Sequence, residues 1–306
     1  ATELNEICKT SDQTEWVEGR ALSHAETDSY LMIQDAFRDL LGVDLEASPT
    51  ELAQALQTDI DRCLPNQQLE IYPYLGYMLE VPLDEEATQR VKYLEGESLR
   101  QRVLQAVQSY IIAKTESKPL VLVWEDLHWG DPSSLEVLEA LLPLTQQCKL
   151  LLVLIYRPLR NSRISTFQAK VSQILAENHL AIEIAPLTHN EGHLLLDNLL
   201  GSHALPDPIQ ELIVNKSDGN PFYMEEVIRS LIDDKTLTQS EHFQGWVLAT
   251  GVTDITIPDT LQGVVMARID QLNPETKRIL QIASVIGRDF SHKVLAQIIE
   301  NEERVA

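Results

Sequence analysis

The sequence predicts an α/β fold built on a parallel sheet. Two nearly continuous apolar runs, residues 120–124 and 150–156, have the composition of strands that are covered on both faces. A helical pattern at residues 133–142 separates them, and a third apolar run follows at residues 180–184. Because parallel strands need a crossover connection, strands that alternate with helices indicate a parallel sheet.

The chain before these runs predicts three elements. Residues 1–12 have the pattern of a helix end, and residues 14–18 have the pattern of a short strand that Gly19 closes. Residues 28–42 carry apolar side chains at helical spacing. Gly42 is the expected stop of that helix, because glycine is common directly after helix ends.

Residues 43–115 predict a helical insertion within the α/β unit. The segment is mostly amphipathic, and residues 86–114 have the pattern of one long helix with a polar and an apolar side. Prolines are the expected interruptions, because a proline inside a helix removes a hydrogen bond and clashes with the preceding turn. They are Pro65, Pro73 and Pro82.

Beyond Pro186 the pattern changes from alternating strands and helices to helices alone. These segments carry apolar residues at helical spacing, and glycine or proline separates several of them. The expected helices lie at residues 190–200, 208–216, 224–232, 260–272, 274–286 and 290–299, with a hairpin at residues 236–257.

The composition argues against two classes of function. Twenty-four basic and 47 acidic residues give a formal net charge of −23, whereas general nucleic-acid binders and binders of anionic membranes need basic patches. The three cysteines are far apart and form no C-x-x-C motif, which favours a reducing, cytoplasmic compartment. We expect no membrane span and no signal peptide.

Two adjacent carboxylates, Glu125 and Asp126, follow the first apolar run. Because an unpaired carboxylate is costly to bury, an acidic pair at the end of a buried strand is typical of a functional site. Ligands bind at the carboxyl ends of parallel strands, and this pair suits Mg²⁺ and a water beside a phosphate chain. A pair of solvated loop acids explains the pattern equally well. No phosphate-cradling G-x-x-x-x-G-K-[ST] motif occurs in the chain.

Three other polar features have a structural explanation beside a functional one. Arg157 follows the second run, where it could face a γ-phosphate, but a surface arginine before Pro158 is as good an interpretation. Asp131 and Ser133 fit the start of a helix as capping residues. The Gly-Asn-Pro-Phe segment at residues 219–222 is explained by a helix stop followed by a helix start.

Two histidines, His189 and His193, stand four residues apart with Glu191 between them. That spacing suits one metal ion, but the pattern is not H-E-x-x-H and no third ligand is evident, so a solvated helix start is favoured. His24 and His128 are isolated. We expect His128 to pack near the acid pair rather than to act as a base.

The segment Val-Trp-Glu-Asp-Leu-His-Trp-Gly-Asp-Pro-Ser at residues 123–133 resembles the Walker B segment of STAND-class signal-transduction ATPases. These AAA-like modules accompany nucleotide cyclase, kinase or transcription-factor domains in bacterial regulators. Other segments resemble further parts of that family. They are residues 18–23 (the exit of the second strand), 152–158 (the sensor-1 strand ending in Arg157), 185–188 (the start of the lid), 219–226 (the G-N-P-F-[FY]-x-E-E motif), and 257–258 with 285–290 (the start of a winged helix).

The resemblance implies a P-loop NTPase-type sheet whose first strand and Walker A motif are missing from the 306 residues. It implies an NTPase core at residues 1–186 with its helical insertion at 43–115, a helical lid at 187–235, and a hairpin with a truncated winged-helix start at 236–306. The family's G-K-[ST] precedes a helix that is similar to residues 1–7. We therefore expect a fragment that begins just after that motif, with natural loss of the motif as the alternative.

The resemblance also implies roles in an intact parent protein that binds ATP and Mg²⁺. Glu125 and Asp126 would hold Mg²⁺ through water and position the attacking water, with their division of labour open because Glu125 replaces the usual aspartate. Arg157 would sense the γ-phosphate, and Pro221, with Gly219 beside it, would lie near the adenine. The expected function is an ATP-hydrolysing regulatory switch that is inactive as this fragment.

The expected partners are nucleotide and the other domains of the parent protein. Self-association is left open, and we expect binding to neither nucleic acid nor membrane.

Two other functions remain open. One is a pseudo-NTPase scaffold that binds proteins without nucleotide, which an intact upstream P-loop would exclude. The other is a DNA-binding transcriptional regulator module, since winged helices often bind DNA, although the net charge of −23 argues against it.

Overall fold

The chain divides into two units, Ala1–Ala181 and Ile182–Ala306, each with its own apolar core. The first unit contains a parallel sheet covered by helices, and the second is helical with one small hairpin. The computed structural model describes residues 2–11, 14–22, 29–44, 47–158, 163–201, 205–239, 245–249, 255, 257–286 and 292–305.

A three-stranded parallel sheet forms the centre of the first unit, which confirms the predicted α/β class with a parallel sheet. Its strands are β1 (Glu15–Arg20), β2 (Leu120–Glu125) and β3 (Leu150–Leu154), in the order β1–β2–β3. The central strand β2 is buried along nearly its whole length. The register aligns Arg20 with Glu125, so the carboxyl ends of β1 and β2 meet at one edge.

Gly19 does not close β1, contrary to the sequence prediction. The strand continues through Gly19 to Arg20, because both residues pair with β2. A Cβ atom at position 19 would lie 2.4 Å from the Trp124 ring and 3.0 Å from Ala36. The glycine therefore makes room for the buried indole.

Two predictions about the other strands are wrong. The third strand β3 is not covered on both faces, since Leu151 is 48% exposed. Residues 180–184 form no strand, and the side chain of Ile184 is 91% exposed. A strand needs a hydrogen-bonded neighbour for its peptide groups. Among the described residues, only β2 pairs with β3, and no strand pairs with residues 180–184.

The helices of the first unit follow the predicted order with two differences. The pattern at residues 86–114 is divided between two helices, because the chain turns at Gly96 with a φ of 54°. The helix after β3 was not predicted. The helices are α1 (Thr2–Ser11), α2 (Leu31–Leu40), α3 (Pro49–Cys63), α4 (Gln68–Met78), α5 (Glu85–Lys92), α6 (Gly96–Ser117), α7 (Pro132–Leu141) and α8 (Arg163–Leu175), with 3-10 segments at Leu127–Trp129 and Leu142–Gln146.

The prolines of the helical insertion behave in two ways. Pro65 lies between α3 and α4, and Pro82 lies between α4 and α5, as expected. Pro73 lies inside α4, so the prediction that it interrupts a helix is wrong. Most of α4 is buried, including Pro73 itself, and this packing compensates for the lost hydrogen bond.

The second unit consists of helices and a two-stranded antiparallel hairpin. Its elements are α9 (His189–Leu200), α10 (Asp207–Ser217), α11 (Pro221–Asp233), β4 (Leu237–Gln239), β5 (Trp246–Leu248), α12 (Leu261–Gln271), α13 (Pro274–Ile286) and α14 (His292–Val305). Some predictions fall outside the described residues. They concern parts of the predicted hairpin (residues 240–244, 250–254 and 256), residues 287–290 of the winged-helix resemblance, and Ser23 and His24. Among the described helices, none combines the length and the hydrophobicity needed to cross a bilayer.

A buried polar network joins the helical insertion to the sheet. The hydroxyl of Tyr110 on α6 donates to Asp59 Oδ2 on α3 at 2.5 Å. Lys114 Nζ lies 3.5 Å from the same oxygen and 3.4 Å from Glu15 Oε1 on β1. Burial and the hydrogen bond to Asp59 raise the pKa of Tyr110, so it remains a donor at neutral pH.

We expect Tyr110→Phe to lower the free energy of unfolding by about 1–2 kcal/mol, because Asp59 loses a buried donor while the packed volume hardly changes. Tyr93→Phe is the matched control, since Tyr93 is 78% exposed; its effect should stay within about 0.5 kcal/mol. Urea unfolding followed by circular dichroism measures both. Equal effects of the two substitutions would contradict a stabilising role for the network.

Candidate functional site

Glu125 and Asp126 lie at the carboxyl end of the central strand. Glu125 is the last residue of β2, and Asp126 precedes the 3-10 segment Leu127–Trp129. Asp126 adopts a left-handed backbone conformation with φ 55° and ψ 30°. Such conformations are uncommon for residues other than glycine and cluster at functional sites. The chain thus leaves the sheet in a sharp turn directly after the first carboxylate.

Arg20 binds the acid pair from the neighbouring strand. Its Nε donates to Asp126 Oδ2 at 3.0 Å, and its Nη2 lies 3.0 Å from that oxygen and 3.8 Å from Glu125 Oε2. The three side chains are 22–34% exposed, so the site is open to solvent ligands. One arginine therefore compensates part of the charge of the two carboxylates, which are neither freely solvated nor buried without a partner.

Arg20 was not among the predicted site residues, although the sequence contains one signal for it. Arg20 follows Gly19, directly after the predicted strand at residues 14–18, and lies in the segment at residues 18–23 that resembles the family. The carboxyl ends of adjacent parallel strands meet at one edge. However, only the observed pairing of β1 with β2 shows that Arg20 stands opposite Glu125.

Arg157 and His128 complete the same edge of the sheet. Arg157 is exposed beyond the end of β3, and its backbone N–H lies 3.5 Å from His128 Nδ1. Burial lowers the pKa of His128, with Asp126 raising it and Arg157 lowering it. The structure thus brings Asp126 of the predicted acid pair and the predicted Arg157 within electrostatic range of one histidine. His128 lies near Asp126, as its pKa shift shows, and its ring lies 4.4 Å from that of Trp129.

Asp131 is the N-cap of α7 and ties that helix to the preceding chain. Its Oδ1 accepts hydrogen bonds from Ser134 N at 2.9 Å and from Tyr30 N at 3.0 Å. The capping role predicted for Asp131 is confirmed. Ser133 lies inside the first turn of the helix and is not the N-cap.

Gly219 and Pro221 belong to the second unit and start α11. Gly219 has a φ of 72°, and a Cβ atom there would lie 2.5 Å from the carbonyl oxygen of Leu187. The Leu187 N–H donates to the Gly219 carbonyl at 2.8 Å, and Asn220 caps the helix that Pro221 begins. The helix stop and start explain both residues locally, and the adenine contact implied by the resemblance stays a prediction.

The structure offers a candidate for the third metal ligand that was not evident from the sequence. His189 and His193 on α9 lie beside Glu211 on α10, and their ligand atoms lie within 4.8 Å of one another. Glu191 is not the third ligand, because its carboxylate accepts hydrogen bonds from Thr188 in a capping box. Only the packing of α10 on α9 places Glu211 there.

One comparison with known proteins assigns part of this chain to a protein family. Residues 2–155 match a family model described as the AAA ATPase domain. The match covers half of the chain, includes Arg20, Glu125 and Asp126, and ends two residues before Arg157. No curated protein and no solved structure matches the chain significantly.

We expect Asp126→Asn to lower the pKa of His128 further and Arg157→Gln to raise it, because the first removes a stabilising negative charge and the second a repelling positive one. Proton NMR titration of the His128 ring measures both shifts, with His128→Gln assigning the resonance. Glu177→Gln, at an exposed position, should leave the titration unchanged. Shifts of the same sign for both variants would show that these groups do not share one site.

Proposed function

Because the chain belongs to the family of AAA ATPase domains, we propose that it is the ATP-dependent switch of a bacterial multidomain signalling protein. Family membership makes it a nucleotide-binding, ATPase-type module. The observation that carries the proposal is the Glu125–Asp126 pair at the carboxyl end of the central strand, with Arg20 opposite. The resemblance to STAND-class ATPases supports the regulatory role, a cytoplasmic location and contact with other domains.

The two carboxylates take different roles in the proposed reaction. Glu125 ends β2 and is the more exposed of the two, at 34% against 22%, which suits a ligand to the water shell of Mg²⁺. Asp126 contacts Arg20 on β1 and also influences the pKa of His128 together with Arg157, which supports a central position at this edge of the sheet. We assign Asp126 to the attacking water and Arg157 to the γ-phosphate.

Arg20 is proposed to bind the pair until a cation arrives. Mg²⁺ binds through one or two carboxylates together with phosphate oxygens and water. Because ion pairs at exposed positions contribute only about 0–1 kcal/mol, Arg20 can be displaced at little cost. The released guanidinium would remain within reach of a bound phosphate, to which arginine binds well.

The phosphate-binding part of the proposed site needs residues beyond those in the sheet. The 306 residues contain no G-x-x-x-x-G-K-[ST] motif. The STAND resemblance implies a phosphate-binding strand beside the counterpart of β3. The edge of β3 that pairs with no other described strand and the exposed side chain of Leu151 support a neighbour at that edge.

The second unit is proposed to act as the lid and winged-helix start of the switch. Pro221 at the start of α11 would contact the adenine, and the hairpin and helices that follow would transmit the nucleotide state to other domains. Differential affinity of ATP for two arrangements of the units would supply the free energy of switching.

We expect Asp126→Asn to lower the rate of ATP hydrolysis at least about 100-fold, because a positioned base contributes that much or more. ATP binding should change little. Glu125→Gln should instead weaken Mg²⁺-dependent nucleotide binding, since it removes a charged group from the metal shell. Steady-state hydrolysis and fluorescent-nucleotide binding, in a protein form that includes a phosphate-binding loop, separate the two effects.

Glu177→Gln is the matched control for both substitutions, because it neutralises an exposed carboxylate on the first unit outside the site. It should change neither hydrolysis nor binding. Unchanged turnover of Asp126→Asn would remove Asp126 from the catalytic role, whereas loss of binding in that variant would exchange the two assignments.

The 306-residue chain by itself is expected to show no micromolar affinity for ATP and Mg²⁺, because backbone N–H groups and a lysine of a phosphate-binding loop normally supply most phosphate contacts. Isothermal titration calorimetry tests this expectation directly. Micromolar binding would mean that the phosphates are held by other residues, with Arg20 and Arg157 the first candidates.

A protein-interaction scaffold is the alternative, favoured by the engagement of both carboxylates by Arg20. In a scaffold, Arg20 would be a permanent partner and nucleotide would have no effect. A protein form with a phosphate-binding loop that neither binds nor hydrolyses ATP would support the scaffold. DNA binding has no comparable support, since the net charge is −23.

A further inference from the structure

We propose that His189, His193 and Glu211 form a zinc-binding site on the second unit, separate from the acid pair. His189 Nε2 lies 3.0 Å from Glu211 Oε2, and His193 Nε2 lies 3.3 Å from Glu211 Oε1. Both imidazoles therefore face one carboxylate, each through the nitrogen remote from the backbone. The side chains are 28–50% exposed, so an ion can reach them from solvent.

The distances suit a tetrahedral zinc ion. Zn²⁺ binds imidazole nitrogen and carboxylate oxygen at about 2.0–2.2 Å, so neighbouring ligand atoms of a tetrahedral site lie roughly 3.3–3.5 Å apart. The two observed nitrogen–oxygen distances of 3.0 and 3.3 Å, each to a different oxygen of Glu211, are close to that spacing, and all the ligand atoms lie within 4.8 Å of one another. Two histidines with one carboxylate are a known zinc ligand set, which leaves a fourth position for water. Mg²⁺ and Ca²⁺ prefer oxygen ligands alone.

A second contact orients the His193 ring toward Glu211. Gln210 Nε2 donates to the Leu205 carbonyl at 3.0 Å, which orients the amide so that its Oε1 lies 3.3 Å from His193 Nδ1. Because Oε1 is an acceptor, Nδ1 is the donor in this contact, and Nε2 is the ring nitrogen that faces the Glu211 carboxylate. A hydrogen bond to the remote ring nitrogen is the usual second shell of a zinc-bound histidine.

The helices hold the ligands in place before any ion binds. The capping box of Thr188 and Glu191 fixes the first turn of α9, which carries His189. Gly192 lies on the packed side of α9, where a Cβ atom would approach Val214 on α10 to 3.1 Å and Met224 on α11 to 2.9 Å. Glycine at that position permits the close approach of α9 and α10. The spacing of the two histidines from Glu211 follows from this packing.

The ion would join α9 to α10 by bonds that a hydrophobic contact cannot provide. Binding to the folded state alone raises its stability by an amount that grows with the ratio of zinc concentration to dissociation constant. The site therefore makes the rigidity of the second unit depend on zinc, independently of any nucleotide at the acid pair.

The test is a zinc titration of the tag-free 306-residue chain at pH 7.5 in competition with a chromophoric chelator. We expect one zinc ion per chain. His193→Ala and Glu211→Gln should each weaken binding at least about tenfold, and Gln210→Ala should weaken it through the second shell. His179→Ala, at an exposed position outside the cluster, is the matched control and should change nothing.

Two further measurements separate zinc binding from a loss of structure. Zinc should raise the melting temperature of the wild type but not that of Glu211→Gln, a substitution that keeps the side-chain shape. Co²⁺ in place of zinc should give the visible absorption of a four-coordinate site in the wild type only. Absence of zinc binding by the wild type, or binding that all the ligand substitutions leave unchanged, would overturn the proposal in favour of a protonated histidine–carboxylate pair.

Discussion

The hydrogen-bonding requirement of the buried strand β2 is the constraint on which the first unit depends. Its residues Leu120–Trp124 are at most 5% exposed, so their peptide groups need partners within the protein. β1 and β3 provide them in parallel, and parallel pairing brings the carboxyl ends of the strands to one edge. Arg20 and Glu125 thus meet because of backbone pairing, and their electrostatic attraction follows from that position.

Burial distinguishes this ion pair from a second one in the protein. Arg20 and Asp126 are partly exposed, so their attraction is screened and their partners can be exchanged. Glu226 on α11 is only 5% exposed and contacts both Arg229 and Arg268. Removing a partner there would leave a buried charge uncompensated. The first arrangement suits binding, and the second suits a fixed contact between α11 and α12.

Several elements were predictable because their signals are local. The apolar run of β2, the Asp131-Pro132 start of α7 and the left-handed Gly42 after α2 depend on neighbours within a few residues. Errors arose where tertiary context decided the outcome. Pro73 lies within a helix because α4 is buried on nearly all sides. Residues 180–184 have a strand's composition, but pairing is not encoded in composition.

The sequence by itself determined the parallel α/β class of the first unit, the position of Glu125 and Asp126 after a buried strand, and the i and i+4 spacing of His189 and His193. Only the tertiary structure decided that Arg20 balances the acid pair and that Glu211 faces both histidines. The physical reason is the same in both cases. Periodicity reports which face of an element is apolar, whereas the partner across a sheet or a helix pair is chosen by packing between segments distant in the chain.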